Sequence, residues 1–101
     1  MGWYLAAMPK KKTKYLSLIV NKKRYYHYSI EWLDILGDSG HADAKEMQDM
    51  QPATQVTTGY VFLKDKKRLI TFASYDKDQE SFSDRNVFPI GCIVKMKKTT
   101  I

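Results

Sequence analysis

The chain has 101 residues, 44% of them hydrophobic and 13% aromatic, and a formal net charge of +6. That leaves room for one domain with a modest core, and the composition is too apolar for a disordered chain. No apolar run reaches the roughly 18–20 residues that a bilayer-spanning helix needs, and a single cysteine, Cys92, excludes an internal disulfide.

The opening "MGWYLAAMPKKK" places its charges after a very short apolar piece. A secretory signal has the opposite order, so a cytoplasmic protein is expected. Residues 1–14 read as a flexible basic extension, and residues 15–101 as a single small β domain. "KYLSLIV" (14–20) predicts a strand, "NKKR" a turn, and "YYHYSIEWLDIL" (25–36) a second strand. A period of two puts Tyr28, Ile30, Trp32, Asp34 and Leu36 on one face, with Ser29 and Glu31 on the other. A polar corner follows from Asp34 to His41. Asp43 precedes Glu46 by the capping-box spacing, which predicts a short helix over 44–50, and Pro52 stops it.

"TQVTTGYVFLK" (54–64) is β-rich, and Gly59 inside it marks a bulge or a close backbone approach. "DKK" turns into a strand "RLITFASYD" (68–76), which predicts a hairpin. "KDQESFSD" (77–84) reads as a polar loop, "RNVF" (85–88) as a short strand, "PIG" as a turn and "CIVKMKK" (92–98) as the last strand. Five or six short strands, one short inserted helix and no βαβ spacing predict a mainly β, antiparallel fold. A small SH3-like or Sm-like barrel is the expected architecture, because closure hides strand edges.

The charge is unevenly spread. Residues 10–24 hold seven basic side chains and no acid, and residues 95–98 add three lysines. The stretch 25–94 has seven basic and eleven acidic residues, a net of −4. Basic ends on a mildly acidic body either attract phosphates or simply solvate the protein.

Catalysis finds little support. His27 and His41 stand 14 residues apart with no ligand spacing around them, so neither a metal site nor a cofactor is expected. The acids Asp34 and Asp38 are equally explained by Asx turns. Cys92, in a predicted strand, reads as a small buried apolar residue. Trp32, Phe62 and Phe72 are expected in the core. "YYHY" (25–28) places rings on both faces of a strand, and tyrosine beside lysine and arginine is suited to stacking bases and neutralising phosphates. The same rings would also suit a subunit interface.

"WLDILGDSGHADAKEM", "PATQVTTGYVF", "ITFASYD" and "FPIGCIVKM" together resemble a widespread family of small, mostly uncharacterised bacteriophage proteins. The resemblance covers about residues 30–97 and rests on Trp32, Asp34, Ser39, Gly40, Glu46, Pro52, Gly59, Ala73, Ser74, Pro89 and Gly91. His41 departs from it, standing where the corner usually carries tryptophan. The resemblance admits an anti-defence role, as a sponge that sequesters a cyclic-dinucleotide-type immune messenger in the host cytoplasm without turning it over.

On that reading the protein is a non-enzymatic homo-oligomer. Asp34, Ser39 and His41 are expected to bond the base or ribose, Ser74 and Arg85 the phosphate, and Tyr28 or Tyr75 to stack. The alternatives are a small β-barrel that binds nucleic acid through its basic ends and exposed tyrosines, or an adaptor that inhibits a host protein.

Overall fold

The computed structural model describes residues 14–78 and 80–101. The expected basic extension at 1–14 therefore lies, but for Lys14, outside the described residues. Among those described, the fold is mainly β and antiparallel. Its strands are β1 (Ser17–Val20), β2 (Lys23–Asp34), β3 (Ala53–Lys64), β4 (Arg68–Phe72), β5 (Ser74–Asp76), β6 (Ser81–Ser83), β7 (Asn86–Pro89) and β8 (Ile93–Lys98). One helix, α1 (Ala44–Gln48), sits between β2 and β3, and a 3-10 turn, Ile90–Cys92, joins β7 to β8.

The main sheet runs β1-β2-β3-β4-β7, with β8 also on β2. Both β1 and β8 use the same edge of β2: residues 17–20 pair with 23–26, and 93–98 with 28–32. They meet at His27, whose N–H donates to the Leu16 carbonyl at 3.0 Å and whose carbonyl accepts from Thr99 N–H at 2.9 Å. The opposite edge of β2 is occupied by β3, from His27↔Tyr60 to Asp34↔Ala53. No ladder among the described residues joins β7 to β8, so the sheet is open where a barrel would close. Among the described residues no helix is long and apolar enough to cross a membrane.

Local chemistry explains the connections. The β1–β2 turn tightens to Asn21 and Lys22, both at positive φ (46° and 68°), the signature of a type I′ hairpin turn. At the β3–β4 turn, Asp65 Oδ1 accepts from the amides of Lys67 and Arg68, both at 2.9 Å. Those backbone bonds, and then the Arg68 side chain, hold the Asp65 carboxyl below its ordinary range. Asp43 caps α1, accepting from Glu46 N–H at 2.8 Å, as the spacing predicted. The helix is shorter than expected and buries none of its residues.

Several sequence expectations are corrected. The predicted strand 68–76 breaks at Ala73, and the polar loop 77–84 contains a strand, so β5 and β6 form a separate hairpin and the strands number eight. This stretch lacks an apolar alternation because only Phe82 of β6 turns inward, at half-burial. Cys92 lies half-buried in the 3-10 turn, not buried in a strand. Phe62 is not core: it keeps 37% exposure.

Alternation along β2 divides the core. Tyr25 faces one way and packs with Val20 and Phe72, flanked by Leu18, Tyr60 and Phe82. Ile30 faces the other way and packs with Leu69 and Phe88, flanked by Tyr28, Trp32, Val61, Ile90, Ile93 and Met96. Trp32 is half-buried and donates its indole N–H to Thr57 Oγ1 at 2.9 Å. Gly59 marks a close approach: a Cβ there would meet the Phe72 carbonyl at 3.3 Å. The bulge itself lies further along, between Val61 and Leu63.

Candidate functional site

The residues expected to hold a nucleotide fall in separate places. Asp34 ends β2, is exposed, and spends Oδ1 on the Ile35 amide at 2.9 Å. Ser39 and His41 are exposed in the loop that follows, where Asp38 Oδ1 accepts from Gly40 N–H at 2.7 Å, an Asx turn. The cavity beside this corner holds about 430 Å³ and is lined by Asp34, Leu36, Met50, Pro52 and Cys92 among others, but not by Ser39 or His41. Ser74 and Tyr75 are exposed on β5, opposite Ser83 and Phe82. Arg85 lines a different cavity, with Phe62 of β3 and Ile70 and Phe72 of β4. Tyr28 is half-buried against the Ile30 cluster. No described cavity brings the corner together with Ser74, Tyr75 or Arg85.

A different set does converge. The ladder of β1 with β2 places Ser17 opposite Tyr26, and Ile19 opposite Arg24. Arg24 and Tyr26 are two residues apart on β2 and so share a face. Beyond β1 the chain stays attached through Leu16 N–H to Thr99 O at 2.8 Å, a Tyr15↔Thr100 bridge and Ile101 N–H to Lys14 O at 3.0 Å. These contacts frame an open concavity of about 490 Å³, lined by Lys14, Tyr15, Ser17, Arg24, Tyr26 and Ile101.

Its electrostatics are one-sided. Lys98 Nζ lies 4.4 Å from the Tyr26 ring centroid and 5.0 Å from that of Tyr15, bridging the two rings. Arg24 Nη1 donates to Ser17 Oγ at 2.5 Å, which fixes the guanidinium over the concavity. Lys14, Arg24 and Lys98 form no ion pair among the described residues, and no acid lines the hollow. Three uncompensated cations beside two tyrosine rings can neutralise phosphates and stack bases.

Tyr26 and the basic ends were legible in the sequence. Tyr15 carries no such signal, because its place depends on the chain after β8 returning to pair with it. Within "YYHY" only Tyr26 is exposed: Tyr25 is core, and His27 and Tyr28 are half-buried. No group of three or more side chains able to hold a metal ion occurs among the described residues. The chain matches no family model, no curated protein and no solved structure.

Proposed function

We propose that the chain binds single-stranded nucleic acid, without turnover, on the face formed by β1, the start of β2 and the end of β8. The observation that carries this reading is the Lys98 ammonium held between Tyr15 and Tyr26 beside Arg24 and Lys14. A base stacking on either tyrosine takes the place of Lys98, which then moves to a phosphate. The exchanged cation–π contact is worth only about 0.5–1 kcal/mol at an exposed site, and base–aromatic stacking returns about 1–3 kcal/mol.

The strand order supports an SH3-like barrel reading of the same surface. The 3-10 turn carries the chain from β7 at one end of the order to β8 on β2, so one further ladder would close the sheet. Oligomerisation belongs to this proposal too. Ile35 is 92% exposed and shares a hollow with Leu36 and Met50, Met47 is exposed on α1, and α1 buries nothing. A five-residue helix has too few turns to be stable alone, so a second copy covering this patch is the proposed source of its order.

The test is fluorescence anisotropy with a labelled oligothymidine across a salt series. Counterion release should lower log affinity by about 0.7 per phosphate contacted for each unit of log salt. The small-nucleotide sponge differs in outcome: calorimetry would show a cyclic dinucleotide bound tighter than about 10 μM, unaffected by competing oligothymidine. Salt-independent or absent oligothymidine binding would remove the nucleic-acid reading. Co-purification of a stoichiometric host protein would favour the adaptor.

A further inference from the structure

The second cavity lies on the opposite face of the sheet from the basic concavity, since Tyr25 and Tyr26 are successive residues of one strand. It holds about 450 Å³ and is lined by Phe62, Ile70, Phe72, Ser81, Phe82 and Arg85. Its walls are a ring cluster. Phe72 and Phe82 meet edge to face at 4.7 Å, Phe62 and Phe82 at 5.1 Å, and Tyr25 stacks on Phe62 at 5.6 Å. Phe72 is the buried floor, whereas Phe62 keeps an exposed surface next to the hollow.

Edge-to-face pairs leave ring faces and edges open to another ring, and further aromatic contacts of that kind are worth about 0.5–1.5 kcal/mol each. The volume falls within the roughly 300–1,000 Å³ of small-molecule sites. The charges at the rim decide which molecule. Arg85 makes no hydrogen bond or ion pair among the described residues. Lys23 Nζ stands 5.6 Å from the Phe62 ring and 5.3 Å from that of Tyr25. Glu80 accepts from Asn21 Nδ2 at 2.6 Å, and its charge adds to burial in raising the Tyr25 phenol.

We propose that this cavity binds a small aromatic carboxylate, with its ring among Phe62, Phe72 and Phe82 and its carboxylate on the Arg85 guanidinium. Arginine's planar fork matches a carboxylate in two parallel bonds. The Ser81 hydroxyl lines the same hollow as a further donor. The lining holds one guanidinium and one hydroxyl residue among apolar walls, which suits a monoanion.

The probe is 3-phenylpropionate, titrated by calorimetry into the full-length protein, with backbone amide NMR shifts locating the site. The neutral analogue 3-phenyl-1-propanol and the Arg85→Gln and Arg85→Lys variants complete the set. Arg85 is exposed, so both variants should fold. The acid should bind at least about tenfold tighter than the alcohol, the worth of one charge-assisted bond. Arg85→Gln should abolish that preference, Arg85→Lys should keep part of it, and the shifts should cluster on β4, β6 and residue 85. Equal affinity for acid and alcohol, an unchanged preference in Arg85→Gln, shifts elsewhere, or no binding of the acid would each overturn the assignment. None of these outcomes depends on oligothymidine binding at the other face.

Discussion

His27 Nδ1 lies 2.7 Å from Thr99 Oγ1, a side-chain bond at the point where β1 and β8 part company along β2. The Tyr60 ring meets the imidazole edge to face at 4.9 Å. Burial pushes the His27 pKa below its ordinary value of 6.5. The neutral ring is therefore the form that the fold favours, and the unfolded chain binds the proton more readily. Stability from this residue is fully present above about pH 6.5 and is lost as pH falls through the lower folded value. Thermal melts from pH 8 down to 5 should show this decline, and His27→Gln should flatten that part of it. A decline of the same depth in His27→Gln would assign it to other groups.

Lys22 holds a φ of 68° in the β1–β2 turn, a conformation that costs a non-glycine residue about 1–2 kcal/mol. Asn-Gly is the preferred pair for this turn. Lys22→Gly should thus raise stability by up to about 1 kcal/mol, the entropy of glycine in the unfolded state offsetting part of the relief. Urea midpoints with an unchanged slope would measure it.

Gly59→Ala should destabilise by about 1–3 kcal/mol, as overpacking does. Its new methyl would press on the Phe72 carbonyl, which the β3–β4 ladder holds in place. Trp32→Phe should cost about 1 kcal/mol for the lost indole bond to Thr57. It should keep most of the packing on Phe88, whose ring centroid is 5.4 Å away. Chemical denaturation of both variants checks the two values.

Ser39→Ala and His41→Ala should each change stability by less than about 0.5 kcal/mol, as exposed positions do. The turn they occupy is held by Asp38 and by the Asp43 cap, neither of which uses their side chains. If either variant weakened oligothymidine or cyclic dinucleotide binding while the melting temperature held, the corner would regain a place in the site.

Lys98→Ala and Arg24→Ala should each lower the salt slope of oligothymidine binding by about 0.7, one phosphate contact apiece. Tyr26→Leu should weaken binding by about 1–3 kcal/mol with the slope preserved, because stacking releases no counterions. Anisotropy titrations at several salt concentrations separate the two effects.

Local chemistry made much of this protein legible from its sequence. A period of two put Tyr28, Ile30, Trp32 and Asp34 on one face, and their partners Gly59, Thr57, Gln55 and Ala53 agree. The Asp43–Glu46 spacing announced α1, "DKK" announced a turn, and Gly59 announced a close approach. Each is a property of neighbours along the chain. What tertiary structure decided was everything set by pairing across distance. Tyr25 and Tyr26 have the same chemistry, yet one is core and the other surface, because only one side of β2 is covered there by Val20 and Phe72. The basic ends lie 74 residues apart from Arg24 to Lys98, and a hydrogen-bonded fork at His27 makes them one surface. No local pattern encodes that fork, since β1 and β8 each pair with β2 on their own and His27 is where their hydrogen bonds meet.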